Sequence, residues 1–546
     1  MYKRQALERA HDPLDEPQGS NGFAIAPSNA AGRHALLLIN PHTSFFFRSE
    51  LQVTSDEGLD AYGAATWGQF FVYQGFNERL GWMHTSSGVD NVDFFGEIIV
   101  REGGGLFYRH GKELRPVQAT KVSIDYRASD GSMARRVFSV FRTHHGPVVR
   151  EEEGRWVSAT MMFRPVEALS QSFLLTKARD LPGFLQVMEL RANSSNNTVY
   201  ADADGNIAYL HPQFVPRRDD RFDYTRTVDG ADPATDWKGL HELAELPQVV
   251  NPPNGWIANT NNWPYSAAGP YSPRRESFPR YMDTHGENPR GLHAALVLEN
   301  RKDFTADTLE SAAFDPFLPA FARLLPGLMA AFDRLDEKDP RRAGLADAVA
   351  LLRDWDCRWS AGSVATTLAV LWGDALWSEA EAPAARARIP VYEQVAERTD
   401  DEARLAALSR VTGRLRRDFG DWRVPWGEVN RFQRIGDGNE EAFRDDRPSV
   451  PVPFAAGRWG SLASFSARRY PGSNRYYGSS GNSFVAIVEF GPRVSARAVT
   501  IGGESGDPAS PHFADQVDRY ARGALRRVYF HPGELDGHVE RIYRPE

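Results

Sequence analysis

The chain has 546 residues, and its 64 Lys and Arg stand against 72 Asp and Glu, which gives a formal net charge of −8. With 41% hydrophobic and 25% charged residues it is typical of a globular protein that buries a sizeable core. The slight acidic excess argues against a nucleic acid or an anionic membrane as partner, because both require clustered Lys and Arg. The longest apolar runs are far shorter than the ~18 residues of a membrane-spanning helix, so no membrane span is predicted.

The first residues of the chain differ in character from the rest. Residues 1–19 are polar, end in Asp-Glu-Pro-Gln-Gly and resemble a linker or trailing peptide. They lack the apolar stretch of a secretory signal, so either the protein is cytoplasmic or the true N-terminus is missing from this sequence.

Short strands with turn punctuation dominate from residue 22 to about residue 230. Residues 35–39 form a continuous apolar run, which predicts a fully buried strand. In residues 198–210, the Asp204-Gly205 pair predicts a tight hairpin turn. Residues 483–490 are apolar on both faces and predict a central strand in a covered sheet.

Between about residues 305 and 420 the composition changes to Ala, Leu, Arg, Asp and Glu. Leu345, Val349 and Leu352 share one face at helical spacing, which predicts helices in this segment. Cys357, the single cysteine, excludes an intramolecular disulfide and is expected to be a core residue on a helix.

Standard catalytic motifs for zinc, nucleotide phosphates and the nucleophile elbow of hydrolases do not occur. The pair His144-His145 has no carboxylate or third histidine nearby in the sequence, and we expect two structural histidines there.

Ser20 follows Gly19 at the start of the strand-rich region. Cleavage before Ser20 would free an α-amine with a pKa near 8 beside its own hydroxyl, so one residue would supply both nucleophile and base.

Several motifs in one order closely resemble the β chain of the penicillin acylase family of N-terminal nucleophile hydrolases. The resemblance begins at residue 19 and extends over nearly the whole chain; its motifs lie at residues 19–28, 40–42, 80–86, 142–149, 199–206, 236–239, 256–262, 425–428 and 503–516.

This resemblance implies an α+β fold, a four-layer αββα sandwich with an inserted helical segment. It divides the chain into a spacer or propeptide remnant (1–19), the first part of the hydrolase core (20–304), the helical segment (305–420) and the remainder of the β-rich core (421–546).

The resemblance also assigns five catalytic positions. Ser20 matches the nucleophile, and His42 matches the residue that orients the α-amine. In having a histidine at this position, the chain resembles acylases that cleave acyl-homoserine lactones, lipopeptides or cephalosporins, whereas acylases of the penicillin G type have Gln there. Ser86 matches the backbone N–H donor to the oxyanion, Asn261 the side-chain donor, and Arg290 the arginine that supports them.

Thr43, Phe45, Phe46 and Trp67 are the candidate lining of an apolar acyl pocket. The resemblance implies no required cofactor and leaves calcium as the candidate ion, with Asp90, Val92 and Asp93 as its ligands. Calcium takes six or more oxygens, and these residues offer two carboxylates and a carbonyl.

The function implied is an amidohydrolase that cleaves a small-molecule linear amide, an acyl-homoserine lactone, a lipopeptide or a β-lactam side chain, after self-cleavage at Gly19-Ser20. Relatives carry about two hundred residues of α region before the nucleophile, so we expect an α chain as partner. If a signal-bearing α region exists upstream, we expect a periplasmic protein. Otherwise we expect a cytoplasmic one. The alternatives are a catalytically silent orphan β-subunit fragment and, less favoured by the residues, an aromatic-rich carbohydrate binder.

Overall fold

The computed structural model describes residues 19–436 and 443–544. Its first strands are β1 (Ser20–Ile25), β2 (Ala35–Ser44), β3 (Arg48–Ser55), β4 (Leu59–Thr66), β5 (Gln74–Asn77), β6 (Leu80–Ser86), β7 (Asp93–Glu97), β8 (Ile99–Glu102), β9 (Gly105–His110), β10 (Glu113–Pro116), β11 (Gln118–Arg127), β12 (Met133–Thr143), β13 (Gly146–Glu152) and β14 (Arg155–Thr160). The later strands are β15 (Asn196–Asp202), β16 (Ile207–Leu210), β17 (Val228–Asp229), β18 (Val249–Val250), β19 (Trp256–Asn259), β20 (Asn430–Phe432), β21 (Val450–Pro451), β22 (Phe465–Arg469), β23 (Tyr476–Asn482), β24 (Phe484–Phe490), β25 (Val494–Thr500) and β26 (Arg526–Arg527).

The helices fall into three groups along the chain. They are α1 (Pro165–Leu175), α2 (Leu181–Met188), α3 (Pro289–Leu298), α4 (Ala306–Ala313), α5 (Pro319–Asp333), α6 (Pro340–Arg353), α7 (Val364–Ala387), α8 (Val391–Arg398), α9 (Asp401–Phe419), α10 (Trp426–Val429) and α11 (Val517–Ala521).

Two large sheets form the centre of the molecule. The first has the strand order β21-β20-β23-β2-β24-β25-β26, with β1 paired to β2 and β19, and β22 paired to β23. The second has the order β18-β16-β15-β6-β5-β4-β3. Two smaller sheets, β11-β12-β13-β14-β7-β17 and β10-β9-β8, complete the β structure of the described residues.

Side chains alternate between the two faces of the first sheet. Leu37 and Ile39 of β2 point into a core shared with Met83 and Val199 of the second sheet, so the two sheets are stacked face to face. The intervening Leu36 and Leu38 belong to a different core, on the opposite face.

Helices cover the outer face of each sheet. Ala294 and Leu298 of α3 pack with Leu38 on the first sheet, and Phe184 of α2 packs with Trp82 on the second. The order is therefore helix, sheet, sheet, helix, and the α+β class with four αββα layers is confirmed. Helices α5 to α9 have a core of their own, to which Trp459 from the β-rich part contributes.

The strand predictions for particular segments are confirmed. Residues 35–39 lie inside β2, and β24 lies between β2 and β25, buried on both faces except at Glu489. β15 and β16 form the predicted hairpin, with Gly205 at a φ of +88° in its turn. Cys357 is buried as predicted, but the expectation of a helix there is wrong, because α6 ends at Arg353 and Cys357 adopts a φ of +58°.

No helix within residues 19–436 and 443–544 combines the length and the apolar character that crossing a lipid bilayer requires.

Candidate active site

The pairing of β1 with β2 directs the backbone of Ser20 away from β2. The N–H of His42 donates to the carbonyl of Gly19 at 3.0 Å, so the alternation of an antiparallel ladder turns the next residue, Ser20, to the other side. On that side β1 pairs with β19 from Gly22 onwards, and β19 ends at Asn259. Ser20 therefore lies just beyond the last paired residue, and side chains take the place of the missing strand.

Asn261 supplies the first of these side chains. Its Oδ1 accepts a hydrogen bond from the backbone N–H of Ser20 at 2.6 Å. Asn261 has a φ of +69°, a left-handed conformation that asparagine tolerates better than most residues. Its backbone N–H donates to the side chain of Asn259 at 3.1 Å, which holds the turn in place.

Arg290 supplies the second side chain, from the first turn of α3. It is 2% exposed, and its Nη1 donates to the carbonyl of Ser20 at 3.1 Å, to Oδ1 of Asn21 at 3.0 Å and to Oδ1 of Asn261 at 3.1 Å. One buried guanidinium thus ties together the strand that begins at Ser20 and the turn that carries Asn261.

His42 lies beside the peptide bond that precedes Ser20. Burial first, and then the positive charge of Arg290, lower the pKa of the His42 imidazole well below its usual value. The ring is therefore neutral near pH 7. Gly19 packs against it so closely that a Cβ added at Gly19 would lie 2.3 Å from His42 Nδ1.

Ser86 ends β6, beside the same turn. Its carbonyl accepts a hydrogen bond from Nδ2 of Asn261 at 3.0 Å, so the two predicted oxyanion donors are directly connected. The five predicted catalytic residues lie far apart in the sequence, and the fold brings them into one cluster: Ser20, His42, Ser86, Asn261 and Arg290.

The predicted pocket residues have different surroundings, although the rings of Phe45 and Phe46 lie 6.4 Å apart. The hydroxyl of Thr43 donates to Oγ of Ser483 at 2.8 Å. The ring of Phe45 lies in the core, 5.6 Å from the ring of Phe465, and Phe46 has the guanidinium of Arg434 4.3 Å from its ring centre. Trp67 is 72% exposed.

The candidate calcium ligands do not fit a calcium site in this structure. The guanidinium of Arg218 lies 2.5 Å from Oδ1 of Asp93 and 3.5 Å from Oδ2 of Asp90, and it also donates to the carbonyl of Asp90. The other carboxylate oxygen of Asp93 accepts from the indole N–H of Trp237 at 2.5 Å. The buried guanidinium of Arg218 thus neutralises the carboxylates that calcium would need.

Sequence reasoning missed two residues that complete these arrangements. Asn21 accepts from Arg290 and donates through Nδ2 to the carbonyl of Leu462 at 2.8 Å, which anchors the start of β1. Its place directly after Ser20 was the available signal. Arg218 gave no such signal, because it is distant in sequence from Asp90 and Asp93.

Two stacked sheets between two layers of helices form the fold of the N-terminal nucleophile hydrolases. A solved structure of the thermostable penicillin G acylase from Alcaligenes faecalis has the same fold, with a TM-score of 0.66 and 19% identity over 96% of this chain and 100% of that chain. The family model described as Penicillin amidase matches residues 2–537, so the chain belongs to the penicillin amidase family.

Curated relatives include two kinds of acylase. Penicillin G acylase of Escherichia coli is 27% identical over 62% of this chain and 39% of its own length. The acyl-homoserine lactone acylase QuiP of Pseudomonas fluorescens is 23% identical over 95% of this chain and 66% of its own length. The chain therefore spans between about two fifths and two thirds of the length of these relatives.

Proposed function

We propose that this chain is an amidohydrolase that cleaves a linear amide between an apolar acyl group and an amine, with Ser20 as its nucleophile. The observation that carries the proposal is the environment of the Ser20 nitrogen, which lies 2.6 Å from Oδ1 of Asn261, while Arg290 binds the Ser20 carbonyl and the same Oδ1. Membership of a family that includes named acylases supports the reaction class.

The first step of the proposal is self-cleavage at Gly19-Ser20. Oγ of Ser20 attacks the carbonyl carbon of Gly19, the C–N bond breaks, and the Ser20 nitrogen takes up the hydroxyl proton. Water then hydrolyses the resulting ester and leaves a carboxylate on Gly19 and a free α-amine on Ser20. The N–H of His42, 3.0 Å from the Gly19 carbonyl oxygen, supports this step because it is aimed at the atom that becomes negative.

In turnover, the free α-amine accepts the hydroxyl proton while Oγ attacks the substrate carbonyl. The nearby positive charge of Arg290 disfavours protonation of this amine, so it is kept ready to act as a base. The second hydrogen on Nδ2 of Asn261 and the backbone N–H of Ser86 stabilise the oxyanion. The amine product leaves with the proton, and water releases the acid from the acyl ester.

We propose N-acyl amides with an apolar acyl group as the substrate class, and acyl-homoserine lactones or penicillins as the compounds to test first. The names of the relatives support this choice. We also propose an α chain as partner, since the aligned relatives are longer and the exposed Ile124 and Phe138, on one face of strands β11 and β12, offer apolar surface to cover.

The test compares the wild-type chain with S20A and with S495A, a control that changes an exposed serine of β25. Intact mass spectrometry is expected to find a species that begins at Ser20 in wild type and S495A, and the uncleaved chain in S20A. Hydrolysis of an acyl-homoserine lactone and of penicillin G is then measured, with and without co-expression of any reading frame encoded directly upstream.

Amide hydrolysis by S20A at the wild-type rate would overturn the nucleophile assignment. A wild-type chain that stays uncleaved and inactive even after co-expression would favour the silent-module alternative instead.

A further inference from the structure

Three histidines and two carboxylates meet far from Ser20 in sequence, on elements that the proposed reaction does not use. His110 ends β9, His144 and His145 form the turn between β12 and β13, Glu97 ends β7, and Asp236 follows a short 3-10 turn at Pro233–Thr235. Three separate strand ends and a loop therefore place ligand-type side chains at one point.

The polar atoms of this histidine cluster are close enough to share one ion. Nε2 of His110 lies 2.9 Å from Oδ2 of Asp236, and Nε2 of His144 lies 3.5 Å from Oδ1 of Asp236. All three ligand atoms of His110, His144 and Asp236 lie within 4.8 Å of one another. A tetrahedral zinc ion with bonds of about 2.0–2.1 Å places its ligand atoms about 3.3 Å apart, so only small side-chain shifts are needed.

The outer contacts orient two of the imidazole rings. Nδ1 of His144 lies 3.1 Å from the hydroxyl of Tyr108, which leaves Nε2 directed at Asp236. His145 lies between the carboxylates, with Nδ1 2.9 Å from Glu97 and Nε2 3.0 Å from Asp236. Hydrogen-bonded partners of this kind fix the ring orientation of metal-ligating histidines and raise their affinity.

The cluster is buried on one side and open to solvent on the other. The side chains of His110 and Glu97 are 7% and 0% exposed, whereas those of His144 and Asp236 are 29% and 30% exposed. An ion can therefore enter from solvent and keep a fourth position for water. Two imidazoles and one carboxylate suit a divalent transition metal, and they offer too few oxygens for calcium or magnesium.

We infer that His110, His144 and Asp236 form a binding site for a divalent transition-metal ion, with zinc as the probe. Tyr108 and His145 act as positioning residues that orient His144 and Asp236. The ion joins the three-stranded sheet β10-β9-β8 to the turn between β12 and β13 and to the loop of Asp236.

The experiment titrates zinc chloride into the full chain after treatment with a chelator, by isothermal titration calorimetry. We expect one zinc per wild-type chain at this site, binding at least about 100-fold weaker in H144Q and D236N, and about 10–100-fold weaker in Y108F, because Tyr108 acts through His144. The matched control is H512Q, because His512 also lies between two carboxylates, Asp515 at 2.9 Å and Glu540 at 2.6 Å. This variant is expected to bind zinc at the His110–His144–Asp236 site as tightly as the wild type.

A second measurement does not depend on how the variants fold. Crystals of the wild-type chain soaked in zinc chloride are expected to show anomalous density at the zinc edge between His110 and His144. No zinc binding by the wild type, affinity that H144Q and D236N leave unchanged, or anomalous density at other residues only would each overturn the inference and favour a purely structural hydrogen-bonded network.

Discussion

At the scale of single residues, the surroundings of Ser20 are set by its own backbone N–H and carbonyl, which have no partner strand. The N–H and carbonyl of Ser20 lie beyond the end of β19, and buried backbone groups require partners, so Asn261 and Arg290 bind them. Gly19 is required for a different reason, because its lack of a side chain leaves room for the ring of His42. The glycine before the serine is therefore a steric requirement of this cluster.

The substitution G19A tests this requirement. Its Cβ would lie 2.3 Å from Nδ1 and 2.8 Å from Cβ of the buried His42, so we expect a loss of about 1–3 kcal/mol in the free energy of unfolding and slower cleavage before Ser20. Urea unfolding and intact mass measure the two effects. G506A is the matched control, since nothing lies within 4 Å of a Cβ at Gly506 and this residue lies outside the helices and strands. Wild-type stability and cleavage in G19A would contradict the packing argument.

At the scale of elements, the N-terminus of α3 determines the position of Arg290. Asn288 caps this helix by accepting from the N–H of Gly291 at 2.9 Å, and its Nδ2 donates to the carbonyl of Thr260 at 3.0 Å. The same side chain therefore fixes the helix start and the turn that precedes Asn261. Both partners of the Ser20 backbone depend on this one cap.

We expect N288A to cost about 1 kcal/mol of stability through the lost cap, and also to slow cleavage before Ser20. The matched control is D180A, which removes the cap of α2, where Asp180 accepts from Gly183 at 2.8 Å. D180A is expected to cost a similar amount of stability without changing cleavage. Equal effects of the two variants on cleavage, measured by intact mass after expression, would argue against a positioning role of Asn288.

At the scale of the whole molecule, the stacking of four layers buries histidines that the unfolded chain exposes. His211 follows β16, is 0% exposed and has Nδ1 3.0 Å from the side chain of Asn197. Burial lowers the pKa of His211 to about 3, whereas an unfolded histidine has a pKa of about 6.5. Between these values the unfolded chain binds a proton that the folded chain does not, so the free energy of unfolding falls as pH falls below 6.5.

This contribution is expected to reach about 1.4 kcal/mol for each pH unit below 6.5, and H211Q removes it. Urea unfolding at pH 7, 6 and 5 should therefore give a shallower pH dependence in H211Q than in the wild type. H538Q, which removes an exposed histidine, is the control for the loss of one imidazole. Parallel curves for H211Q and the wild type would contradict the linkage.

Local patterns along the chain were sufficient for the regular structure. The apolar run of 35–39, the Asp-Gly turn before β16 and the two-faced apolar segment of β24 each depend on neighbours within a few residues, and each was predicted correctly. The order of several motifs also indicated the family and the four layers. Cys357 was misplaced on a helix because the left-handed backbone that comes after α6 leaves no mark in hydrophobic spacing.

Long-range contacts required the folded chain, because they depend on where distant strands end. The motif order assigned Asn261 and Arg290 to the site of Ser20, but the pairing of β1 with β19 decides that their side chains bind its backbone N–H and carbonyl. Arg218 binds Asp90 and Asp93, although it lies 125 residues after Asp93 in the sequence. No motif spacing in the sequence links these residues. His110 and Asp236 likewise join His144 only through the packing of separate strands, because distances in sequence do not fix distances in space.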